Sequence, residues 1–163
     1  MMKRDRTEPA ELMRNKITIL FVCHGSICRS PMAEYIMKDL VHKAGLEDHF
    51  RISSATATYE ETGNDIYPPA KRILKKHGIP FERHYAHHIT AAEEKDADCI
   101  IGMDSENMYD LRRLFPHSTK LSLLLDYTDH PRDVADPWYT DDYETAFRDI
   151  LEGCEALLAH LTQ

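Results

Sequence analysis

The chain is built from short apolar blocks whose period changes from one block to the next. Ile17 to Val22 is an unbroken apolar run ending at Cys23, as expected of a strand buried on both faces. Behind it Met32, Tyr35, Ile36 and Leu40 recur at helical spacing. Pro31 falls in the first turn of that helix, where its missing N–H costs nothing, and Gly45 marks the stop. Phe50 to Ser53 predicts a second strand, closed by Ser54-Ala55-Thr56, with a polar loop from Tyr59 to Asn64. Pro68 and Pro69 open a helix with Ile73, Leu74 and His77 inward, stopped at Gly78. Thr90-Ala91-Ala92-Glu93 is a capping box for a short helix. Cys99 to Met103 predicts a third strand, and Asp104 caps a helix through Asn107, Leu111 and Leu114. Leu121 to Leu125 predicts a fourth strand, starting at Lys120. Asp141 and Glu144 have the spacing of a capping box for a last helix, whose inner stripe is Tyr143, Phe147, Ile150, Leu151, Cys154, Leu157 and Leu158.

Alternating strands and helices predict an α/β fold, a three-layer sandwich around a central four-stranded parallel sheet. The loop after the first strand would lie at the carboxyl edge of the sheet, where open sheets place ligands.

Composition narrows the function classes. The 163 residues suit one domain, and an apolar content of 42% suffices for a core. A net charge of −8, with 28 acidic against 20 basic residues, argues against nucleic acid or an anionic membrane as partner. No stretch approaches the ~20 apolar residues of a membrane span. Residues 1–15 have no signal-peptide core and read as a flexible extension ahead of a domain at 16–163. With no export signal and four cysteines, a reduced cytoplasmic protein is expected. There is no C-x-x-C pair and no His/Cys cluster at zinc-finger spacing, so no metal or cofactor is expected.

The candidate chemistry lies between the first strand and the first helix, in Cys23-His24-Gly25-Ser26-Ile27-Cys28-Arg29-Ser30-Pro31. A loop entering a helix N-terminus turns backbone N–H groups inward and makes an anion nest. The same field favours a thiolate over a thiol. Cys23 is the candidate nucleophile, Arg29 a planar fork for two phosphoryl oxygens, and Ser30 a hydroxyl donor to the sulfur. Cys28 reads either as core packing or as a second thiol able to trap oxidised Cys23 as a disulfide. The long loop from Asp126 to Thr140 holds the single tryptophan, and Trp138 with Tyr139 suggests a wall around a flat ligand.

This motif closely resembles the signature of the low-molecular-weight protein tyrosine phosphatases. The resemblance extends from about Lys16 to His160, through Ser54-Ala55-Thr56, Gly63, Lys76-His77-Gly78-Ile79-Pro80, Met103-Asp104-Ser105-Glu106-Asn107 and Asp136-Pro137-Trp138-Tyr139. It implies a phosphate-binding loop of His24, Gly25, Ser26, Ile27, Cys28 and Ser30 around Cys23 and Arg29, with Asp136 as general acid. It implies Tyr59 on one wall of the cleft, and His77 as a buried brace reaching under the loop toward Ser26. Ser26 stands where the family usually has Asn, which puts the rigidity of the loop in question. The implied partners are phosphotyrosine-containing proteins and a cognate tyrosine kinase, with inorganic phosphate as product and inhibitor.

The expected function is therefore phosphotyrosine hydrolysis through a cysteinyl-phosphate intermediate, without a metal. A deep cleft suits the phosphotyrosine ring, whereas phosphoserine is too short to reach the floor. One alternative is a protein-arginine phosphatase, against which Ile27 stands where such relatives carry Thr. Another is a phosphopeptide-binding module, which would need neither the cysteine nor the acid. Arsenate reduction needs two further, closely spaced cysteines downstream, which Cys99 and Cys154 do not match.

Overall fold

A computed structural model describes residues 16–25 and 27–163. The expectations for the 1–15 extension and for Ser26 lie outside the described residues. Four strands, β1 (Ile17–Cys23), β2 (Phe50–Thr56), β3 (Cys99–Gly102) and β4 (Leu121–Leu123), form one parallel sheet in the order β2-β1-β3-β4. The helices are α1 (Arg29–Lys43), α2 (Pro68–Lys76), α3 (Ala91–Asp96), α4 (Ser105–Leu114), α5 (Pro137–Thr140) and α6 (Tyr143–Leu161).

The continuous apolar run of β1 reflects burial on both faces. Ile19, Phe21 and Cys23 join the core beneath α1, α2 and α6, whereas Leu20 and Val22 join a second core with Met108 and Leu111 of α4. From β1 the chain moves to one side for β2, then crosses to the other side for β3. The carboxyl ends of β1 and β3 therefore flank the switch point, where a crevice opens.

Several boundaries differ from the sequence-based expectation; β3 ends at Gly102 rather than Met103, and β4 starts at Leu121 rather than Lys120. Strand β2 runs on through Thr56, because β1 carries its partner register as far as Cys23 opposite Thr56. Its polar Ser54 is satisfied within the fold by donating to Glu34 of α1 at 2.6 Å. Strand β4 stops at Leu123 and becomes a 3-10 turn over Leu124–Tyr127. Leu124 and Leu125 are consecutive and both fully buried, which an alternating strand facing solvent on one side could not provide. The last helix is capped by Asp142, which accepts from the Thr145 N–H at 3.0 Å. Asp141 instead closes α5 in a left-handed conformation (φ 59°).

Candidate active site

Cys23 ends β1 with 4% of its surface exposed, at the base of an open pocket of about 170 Å³. Its Sγ lies 3.2 Å from Ser30 Oγ, in the first turn of α1. Once the sulfur is a thiolate, that hydroxyl is the donor. The N-cap residue of α1, Cys28, makes no side-chain cap, so its side chain claims none of the N–H groups that a helix N-terminus leaves over.

Arg29, the first residue of α1, is 2% exposed. Its Nη1 donates to Asp104 Oδ2 at 2.7 Å and to the Val134 carbonyl at 2.8 Å, and its Nη2 lies 3.4 Å from Asp136 Oδ2. Burial works against the guanidinium charge, but the charges of Cys23, Asp136 and Asp104 outweigh it and raise the pKa. The sequence marked Asp104 only as a helix cap. In the structure one of its oxygens caps α4 through the Asn107 N–H and the other orients Arg29. A cap motif directly after a strand that lies beside β1 is the signal that could have found this second use.

Asp136 belongs to the long loop, and this loop is anchored. The Val134 N–H donates to the Met103 carbonyl at 2.8 Å, and Asp133 accepts from both the N–H and the hydroxyl of Ser105 at 3.1 Å. Asp133 is thereby committed to holding the loop. Asp136 N-caps α5 by accepting from the Trp138 N–H at 3.0 Å, which aims its other oxygen at Arg29.

The pocket is lined by Cys23, His24, Gly25, Ile27, Cys28, Arg29, Asp136, Trp138 and Tyr139, and also by Glu60 and Glu61. Trp138 packs tilted against Tyr67 at 5.1 Å between ring centroids. Cys28 is buried, and burial with the charges of Cys23 and Asp136 pushes its thiol up to about 12, despite a hydrogen bond with Tyr143 and the charge of Arg29.

Two expected site residues are placed elsewhere. Tyr59 does not line the pocket; it stacks on His88 with ring centroids 4.0 Å apart and planes within 6°. The wall it was expected to form comes from its neighbours Glu60 and Glu61. His77 is not a buried brace. It follows α2, its ring stacks on Phe147 at 4.0 Å, and its Nε2 lies 2.8 Å from Glu144, so α6 engages it. Among the described residues no group of His, Cys, Asp and Glu is arranged to hold a metal, and no helix is long and apolar enough to cross a membrane.

A sequence profile described as low molecular weight phosphotyrosine protein phosphatase matches residues 18–163. The low molecular weight protein-tyrosine-phosphatase YfkJ of Bacillus subtilis is 40% identical over 149 residues, covering 89% of this chain and 96% of YfkJ. The crystal structure of YfkJ superposes with a TM-score of 0.87 at 39% identity, covering 90% of this chain and 95% of that one. The phosphatase SP-PTP of Streptococcus pyogenes superposes with a TM-score of 0.82 at 35% identity, over 90% and 94% of the two chains. The Drosophila arginine phosphatase DARP superposes with a TM-score of 0.81 at 32% identity, over 89% and 98%. The chain belongs to the low molecular weight protein-tyrosine-phosphatase family.

Proposed function

We propose that Cys23, Arg29 and Asp136 divide between them the hydrolysis of phosphotyrosine, the activity of the family. The Cys23 thiolate, held by the Ser30 hydroxyl, attacks phosphorus in line. The S–P bond forms as the bond to the tyrosyl oxygen breaks, and Asp136 delivers a proton to that oxygen. Water then attacks the cysteinyl phosphate and Asp136 takes the proton back. The S–P bond breaks and phosphate leaves. Throughout, Arg29 and the backbone N–H groups at residues 24, 25 and 27–29 meet the equatorial oxygens. For this Arg29 turns from Asp136 toward the phosphoryl group, while Asp104 keeps its hold on Nη1. Inorganic phosphate fits the same floor, so it acts as product and inhibitor. A cognate tyrosine kinase is the expected source of substrate, residues 16–163 are the catalytic unit, and the reduced thiols suit the cytoplasm.

The observation that carries this reading is the meeting of Cys23, Arg29 and Asp136 at one pocket, with the buried Ser30 hydroxyl against the Cys23 sulfur. Ile27 and Trp138 add apolar walls suited to an aromatic ring. The likeness to DARP keeps phosphoarginine as a second substrate class to assay, although Ile27 offers no hydroxyl to a guanidinium.

Substitution tests the roles. Cys23→Ser abolishes turnover of an aryl phosphate in a folded protein, and near wild-type turnover would refute the nucleophile. Asp136→Asn lowers kcat by about 10²–10⁴-fold for a phenol that leaves poorly, and by much less for an activated one. Equal losses across a leaving-group series would assign Asp136 a purely structural role.

A further inference from the structure

The pocket has two unlike sides. On one, Ile27 and Trp138 meet through Tyr67, which donates its N–H to the Ile27 carbonyl at 2.8 Å and packs on the Trp138 ring; on the other, His24 pairs with Glu60, next to Glu61. Among the described lining residues Arg29 is the one with a permanent positive charge, and it already faces Asp104 and Asp136. Two carboxylates at the mouth of a pocket for a dianion are unfavourable to the phosphate itself. They become favourable when the rest of the substrate brings positive charge past them.

These carboxylates are held in place. The Ala57 N–H donates to the Cys23 carbonyl at 3.2 Å, and Thr58 Oγ1 donates to the His24 carbonyl at 2.7 Å, tying the 57–61 segment to the phosphate loop. Glu60 Oε1 lies 2.8 Å from His24 Nε2, and Glu61 Oε1 accepts from Asn64 Nδ2 at 2.7 Å. A Cβ on Gly25 would come within 3.0 Å of Glu61 Cγ, so the Glu61 stem rests directly on the loop. Glu60 still leaves 66% of its side chain open to solvent, within reach of a docking peptide.

We infer that Glu60 and Glu61 are specificity-determining residues that select phosphotyrosines flanked by lysine or arginine. The inference rests on the phosphotyrosine reading of the site and deepens it. The ring lies against Ile27 and Trp138, and the peptide leaves the pocket across the acidic side. An exposed ion pair is worth a factor of up to about 5, so two such pairs set a preference near tenfold.

The test uses two phosphotyrosyl peptides of equal length, one with Lys and Arg beside the phosphotyrosine and one with Glu and Asp, alongside p-nitrophenyl phosphate. The wild-type enzyme is expected to favour the basic peptide by about tenfold in kcat/KM, mostly through KM and less so at high salt. E60Q/E61Q should reduce the ratio to below about 3, although most of the net charge of −8 remains. Glu61→Lys should shift the preference toward the acidic peptide, and it serves equally if the double variant folds poorly. Equal use of the two peptides by a wild-type enzyme that hydrolyses p-nitrophenyl phosphate would overturn the inference alone. So would a basic preference unchanged in these variants, which would assign it to the whole-molecule field. Failure to hydrolyse any of the three substrates would overturn the reading of the site, and the inference with it.

Discussion

Cys28 shares the phosphate loop with Cys23, yet its thiol is buried and its pKa is pushed up to about 12. It stays protonated near neutral pH and does not compete as a nucleophile. It still suits a slower task. Peroxide converts the Cys23 thiolate to a sulfenic acid with loss of hydroxide, and the Cys28 sulfur can then displace water to close a disulfide. We predict a Cys23–Cys28 link in the peroxide-treated enzyme by mass spectrometry. It should form faster as pH rises from 7 to 9, because the Cys28 thiolate fraction grows about tenfold per unit below its pKa. Cys28→Ser should recover poorly when thiol is added after peroxide; full recovery with no link in the wild type would leave Cys28 a packing residue. Cys23 and Arg29 could be singled out locally, at a strand end and a helix start, whereas only the family resemblance picked Asp136 from the several acids of its long loop. The neighbours of Asp104, Tyr59 and His77 were not legible in the sequence, because they come from distant segments: Arg29 for Asp104, His88 for Tyr59, and Glu144 with Phe147 for His77.

At the scale of elements, period and caps located nearly every strand and helix, and the errors fell where packing overrides pattern. The Leu121–Leu125 run reads as one strand, but Leu124 turns into a 3-10 segment that presses on α6. Gly153 makes that approach possible: a Cβ there would stand 2.5 Å from Leu124 Cγ, and Leu124 is fully buried. Alanine improves helix propensity by about 1 kcal/mol over glycine. The clash is with a branch point rather than a mobile tip, so overpacking, which costs about 1–3 kcal/mol, wins. Gly153→Ala should therefore lower the urea midpoint while the refolded fraction keeps its specific activity. A midpoint equal to or above wild type would show that Leu124 has room to move.

Across the whole molecule, charges as well as the core hold the connections between elements, as around the segments that flank α2. Asp65 accepts from the Ile66 N–H at 2.7 Å and the His84 N–H at 2.9 Å, and pairs with Lys71 and Arg83. Burial opposes its charge, but Lys71, these N–H groups and Arg83 outweigh it and hold the carboxyl well below the usual carboxylate range. As pH falls, the unfolded chain protonates first. The contribution of Asp65 is thus complete above about pH 4 and is lost as pH drops through the folded value. Asp65→Asn should cost about 1–2 kcal/mol by urea denaturation at pH 7, and the deficit should shrink below about pH 4. A deficit independent of pH would contradict an electrostatic role. The same parallel topology brings Arg29 to a carbonyl 105 positions away and sets the loop from Cys23 to Arg29 against the loop that carries Asp136 at one carboxyl edge. The most direct test of this assembly is a rapid-quench reaction with a ³²P-labelled phosphotyrosyl peptide, followed by mapping of the labelled residue. The mechanism predicts a transient cysteinyl phosphate on Cys23 that forms with loss of the tyrosyl peptide and is absent in Cys23→Ser. Turnover with no covalent phosphate, or with phosphate on any other residue, would contradict it.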